Sequence, residues 1–185
     1  MSDADTRADT ANIRPPGAAD DGAGTETSVC PGCGAVLAVV PGLIGTHPGA
    51  SPSCAGLFGV TVRGLRDEVA QDVRTAALLQ LAIDSYDAQH LVDDEPAAPA
   101  VRLCLWLERD TDPLLAAGLE NRVAAVAPRL QTRPDRWTTT VADLAADLDV
   151  VDLPALVRSW AGAVWTDWGP AHPALRAAAD AAPLN

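Results

Sequence analysis

The chain contains no lysine, and phenylalanine, tyrosine and methionine occur once each. A bias of that kind is explained by a GC-rich coding sequence and carries no functional weight. Positive charge is scarce: 13 arginines stand against 25 acidic residues, a formal charge of -12. Such a surface repels phosphate backbones and anionic headgroups instead of releasing counterions from them, which argues against nucleic acid as a partner. No apolar run approaches the roughly 20 residues that cross a bilayer, so no membrane segment is expected. The first residues are acidic and polar, not a basic stretch leading into an apolar one. The expected location is therefore cytoplasmic. In that reducing compartment the four cysteines read as metal ligands or buried small side chains before they read as disulfides.

What is present is enough for one domain with a core: 185 residues, 48% of them hydrophobic. Residues 1–28 carry Asp3, Asp5, Asp9, Asp20, Asp21 and Glu26 among small residues, with Ile13 as the one large apolar side chain. That composition cannot bury enough surface to offset its ordering entropy, so a disordered acidic tail is expected there, followed by a single domain over 29–185.

The fold expected is mainly α, a helical domain of about five to six helices with a small N-terminal zinc knuckle and one short strand. The strand follows the knuckle, from Ala35 to Val40, and ends at Pro41-Gly42. Ser51-Pro52 starts a helix over 52–69, because serine is a favoured N-cap and proline is tolerated at the first helical position. Asp72 caps a second helix, over 73–90, and Val101–Leu107 forms the centre of a third. Asp112-Pro113 repeats the cap-plus-proline start for a helix to about Ala127, and Thr140 caps a short one over 141–148. Asp152 begins the last strong helix. There Leu156, Trp160, Val164 and Trp168 form one stripe and Val157, Ala161 and Trp165 the next, a wide face whose simplest reading is core. Pro173 to Ala182 adds a final short helix.

Cys30-Pro31-Gly32-Cys33-Gly34 suits a metal knuckle, since the tight turn brings two thiolates to one centre. Cys54, in a first helical turn, supplies a third sulfur, favoured as thiolate by the helix dipole. Two histidines compete to be the fourth ligand. His47 is close in sequence to Cys54. His90 is reached by geometry: if 52–69 and 73–90 form an antiparallel hairpin, Cys54 and His90 are almost equally far from its turn and lie level. Tyr86, one helical turn before His90, or Asp87 is expected to orient its ring. Cys104, among Leu103, Leu105 and Trp106, reads as an inert core residue.

Taken together, Cys30 to Gly34, Thr46 to Cys54, Asp84 to His90 and Trp160 to His172 resemble an uncharacterised bacterial family of unknown function, over residues 29 to about 180. The resemblance implies a shared fold and metal site, and no reaction. Members tend to carry a histidine where this chain has Leu79, and its absence weighs against a catalytic histidine cluster.

Two functions compete. The first is a helical binding or regulatory domain stapled by structural zinc on Cys30, Cys33, Cys54 and His90, with a protein partner and no catalytic residues. The second is a metal-dependent enzyme with the ion near His47 and His90, in which His47, Asp84, Tyr86 and Gln89 surround it. Asp84 stands about 240° around the helix from His90 and is expected to brace a neighbour instead. A third reading is a redox or iron–sulfur protein with Cys104 as fourth ligand.

Overall fold

The computed structural model describes residues 26–70 and 72–182. Its elements are β1 (Thr27–Val29), β2 (Val36–Ala38), α1 (Pro52–Thr61), α2 (Arg63–Glu68), α3 (Val73–Gln89), α4 (Ala98–Arg109), α5 (Pro113–Gly118), α6 (Glu120–Val126), α7 (Val141–Asp147), α8 (Leu153–Asp167) and α9 (His172–Ala181). A single 3-10 turn, Gly169–Ala171, joins the last two helices where Gly169-Pro170 breaks the pattern. The class is the one expected, mainly α with a small sheet at the knuckle, and none of the described helices is long and apolar enough to cross a membrane.

Helix starts follow the caps. The Ser51 hydroxyl accepts from Cys54 N–H, Asp72 accepts from the N–H groups of Arg74 and Thr75, and Asp112 from those of Leu114 and Leu115. Thr140 and Asp143 form a reciprocal capping box at α7. Asp152 precedes α8 without a side-chain cap bond.

Two long helices of the sequence reading are each divided in two. The first breaks at Val62, whose φ of -94° and ψ of 8° leave the helical region. Val60, Thr61 and Val62 are consecutive β-branched residues between Gly59 and Gly64, all poor helix formers, and the Thr61 hydroxyl bonds back to Leu57 O. The second breaks at Leu119, directly after Gly118. The helix count rises to nine among the described residues for that reason and because the short segments over 141–147 and 172–181 both form.

The one expected strand has a partner. β2 pairs antiparallel with β1, Val29 opposite Val36 and Thr27 opposite Ala38. Thr27 and Ser28, assigned above to the tail, therefore belong to the ribbon, and Glu26 O accepts from Val39 N–H at 2.8 Å; residues 1–25 of that tail lie outside the described residues.

α3 runs through the middle of the domain, with α4 and α8 packed on it and α9 against α4. Trp160, Trp168, Leu81, Val101, Leu103, Leu105 and Leu175 are fully buried, as is Cys104, so the tryptophan stripes are core. Two polar devices fasten α3. Arg102 Nε donates to Asp84 Oδ1 at 2.8 Å in the interior, and Gln80 Nε2 donates to the same oxygen at 3.0 Å. Gln89 accepts from the Trp160 indole at 3.1 Å and donates to Thr139 O at 2.8 Å. Asp84 thus braces α4, away from the knuckle.

Candidate metal centre

The knuckle closes through its own backbone: Gly34 N–H donates to Cys30 O and Cys30 N–H to Ala35 O. Gly34 has a φ of 75°, a left-handed conformation that glycine adopts without strain. Cys30 and Cys33 then face the start of α1. Ser51 N–H donates to Cys30 Sγ at 3.4 Å, so the cap residue of α1 serves the knuckle as well as the helix.

From the other side the C-terminal end of α3 delivers His90. Its Nδ1 lies 2.6 Å from Tyr86 O, which fixes the ring and leaves Nε2 pointing at Cys54 Sγ, 3.4 Å away. Of the two residues expected to orient the ring, Tyr86 is the one bonded to it, through its backbone carbonyl, and the Tyr86 ring also lies 4.0 Å from the imidazole. The Tyr86 hydroxyl donates to Cys54 Sγ at 3.8 Å, and its ring stacks on Phe58 of α1 at 4.1 Å. Cys54 and His90 thus meet, but not through the hairpin expected from one unbroken helix over 52–69: that helix is interrupted at Val62, and it is α2 that packs along α3 while α1 packs against α7.

The ligand atoms of Cys30, Cys33, Cys54 and His90 lie within 4.8 Å of one another, and all four residues are buried. They could hold a metal ion. Cys104 is outside the group, on α4 with its thiol toward Glu108, and burial pushes that thiol up to about 11. His47 is also outside it. Gly49 N–H donates to His47 Nδ1 at 3.1 Å, and Nε2 stands 3.5 Å from Asp87 Oδ1. The two imidazole rings are 5.7 Å apart.

Crowded sulfurs share charge unequally. Hydrogen bonds from Cys33 and then Cys54 hold Cys30 far below the ordinary thiol range despite its burial. Cys54 is pushed strongly the other way by its hydrogen bonds to Cys30 and Cys33 and by burial. Burial opposes a charge on His90, but hydrogen bonding to Cys30 and Cys33 outweighs it and pushes the imidazole up to about 9. Burial raises Tyr86 strongly, reinforced by Cys54, so its hydroxyl stays a donor.

The sequence did not show what several residues around the donors touch. A Cβ at Gly49 would collide with His90 O, and one at Gly32 with the His90 ring, so both glycines are places of close approach. Trp137 donates its indole N–H to Gly32 O at 2.9 Å from a segment with no helical or strand pattern.

Fold and site together define a helical domain with a buried Cys3His centre able to hold a metal ion. The chain belongs to a family of unknown function, DUF5946, which it matches over residues 28–169. That span runs from the ribbon to the end of α8 and contains all four donors. No curated protein and no solved structure matches the chain.

Proposed function

We propose that this protein is a helical binding or regulatory domain whose fold is fastened by a structural zinc ion on Cys30, Cys33, Cys54 and His90. The observation that carries the reading is the spacing of the donors. Bonds of about 2.3 Å to sulfur and about 2.0 Å to nitrogen, at tetrahedral angles, put neighbouring sulfurs about 3.8 Å apart and sulfur about 3.5 Å from nitrogen. Cys33 Sγ and Cys54 Sγ are 3.8 Å apart, and Cys54 Sγ is 3.4 Å from His90 Nε2. Three soft thiolates and an imidazole are a donor set suited to zinc. Four protein ligands complete a tetrahedral shell, which is the arrangement of a structural site rather than of a catalytic one.

The protein is expected to purify with about one zinc per chain, and a strong chelator is expected to lower its Tm. Metal analysis finding none, on protein made in zinc-replete medium, would sink the reading. Iron with visible absorbance would replace it with a cluster protein.

The enzyme reading keeps one supporting observation. His47, Tyr86 and Asp87 line a recess of about 390 Å³ beside the centre. Against it, His47 Nδ1 already accepts from Gly49 N–H, which leaves only Nε2, 3.5 Å from Asp87 Oδ1, to act on a substrate.

A further inference from the structure

We infer that Trp137 is a positioning residue for the metal centre, acting through the Gly32 carbonyl inside the knuckle; this rests on the zinc reading above. Trp137 lies between α6 and α7 and supplies no donor to the ion. Its indole N–H is bonded to the peptide that links the two knuckle cysteines' turn, 105 residues away in sequence. At its Cα Gly32 has no slack, because the His90 ring, Gly49 O and Gln89 O all crowd the place where a Cβ would be. The knuckle is thus held by two contacts at Gly32, the crowding of His90 at its Cα and the indole at its carbonyl.

The indole is itself anchored. It stands edge-on to buried Trp168, with ring centres 5.8 Å apart and planes at 70°. Two residues further on, Thr139 O accepts from the side chain of Gln89, the neighbour of His90. Residues 137–139 therefore grip both halves of the site, the knuckle through Gly32 and the end of α3 through Gln89. They set how far the Cys30 and Cys33 sulfurs stand from His90 Nε2.

Partners one bond removed from a ligand commonly change metal affinity by about 10- to 100-fold. Trp137 acts on the peptide next to Cys33, so the lower end of that range, about tenfold, is expected. The test uses the full chain carrying Trp137→Phe, which keeps an aromatic ring against Trp168 and removes the donor. Zinc affinity is measured by competition with a chromophoric chelator, and the cobalt(II) form is examined for its ligand-field bands. The expected result is binding about tenfold weaker, with shifted cobalt bands, while Trp106→Phe on α4 leaves both unchanged. Wild-type affinity and an unshifted cobalt spectrum in Trp137→Phe would overturn the inference and leave the zinc reading standing. A wild type that binds neither metal overturns both.

An experiment on the unsubstituted chain guards against a variant that does not fold. Replacing zinc by the larger cadmium ion widens the centre, so the indole N–H resonance of Trp137 should move while that of Trp106 stays. A Trp137 resonance indifferent to the exchange also overturns the inference.

Discussion

At the scale of single residues, His90 and His47 are neighbours with different jobs. His90 has one nitrogen on a backbone carbonyl and the other on a cysteine sulfur, whereas His47 spends its nitrogens on a backbone amide and a carboxylate. His90→Ala is expected to weaken zinc binding by more than about 100-fold, beyond what losing a supporting partner costs. His47→Ala is expected to change it by less than about tenfold. Equal retention of metal by the two variants would contradict the assignment. His90 could be reached from the sequence because Cys54 and His90 are equally far along the chain from the Asp72 cap, a count that the break at Val62 leaves unchanged. Gly49 and Trp137 could not, since a contact between irregular segments leaves no periodic trace.

A second residue-scale expectation concerns pH. Burial pushes the Asp84 carboxyl up to about 6, against the pull of Arg102 and Gln80 and with Asp87 adding to the rise. A proton held more tightly in the folded state stabilises it fully below about pH 4 and ceases to do so as pH rises through about 6. Two units correspond to about 3 kcal/mol. Asp84→Asn cannot ionise, so its stability relative to the wild type should rise by that order between pH 4 and pH 7. Urea unfolding of both proteins at four pH values checks the sign, and a constant difference would refute it.

At the scale of elements, caps were the most legible feature and breaks the least. Ser51, Asp72, Asp112 and Thr140 each end up accepting backbone amides, because a cap is a property of four consecutive residues. The interruption at Val62 depends on a balance between propensity and packing that the apolar spacing conceals. β1 was missed because three residues show no alternation that could be told from a polar segment. The Thr140 box offers a direct test. Thr140→Ala should cost about 1 kcal/mol of stability, read from the urea midpoint. It should leave zinc content untouched, since Thr140 contributes no bond to Gln89 or to the knuckle. A loss of metal would mean that α7 is coupled to the centre more tightly than its contacts indicate.

At the scale of the whole molecule, the knuckle after the ribbon, the start of α1 and the end of α3 meet around one point. The fold class and the four residues of the group could be read from the sequence; the contacts that distant irregular segments make around them could not. A metal ion there acts as a cross-link between Cys54 and His90, 36 residues apart. Closing a loop of that length is worth about 4 kcal/mol in chain entropy, by analogy with a disulfide, and about 10 °C in Tm for a chain of this size. Chelation should lower Tm by at least that much, measured by calorimetry with and without added metal. A shift of only a degree or two would mean that the helices hold the centre, rather than the centre the helices.

The wide separation of the donors also has a kinetic side. Cys30 and Cys33 can seize an ion while the rest of the chain is unfolded, since a short turn is all they need. The third and fourth ligands arrive only when α1 has started and α3 has reached its last turn, for His90 takes its aim from the carbonyl one turn earlier. Capture should therefore occur in two stages. The first is a fast, loose encounter whose rate rises with metal concentration. The second is a slow locking step that concentration does not accelerate, because its pace is that of the polypeptide finding its own shape.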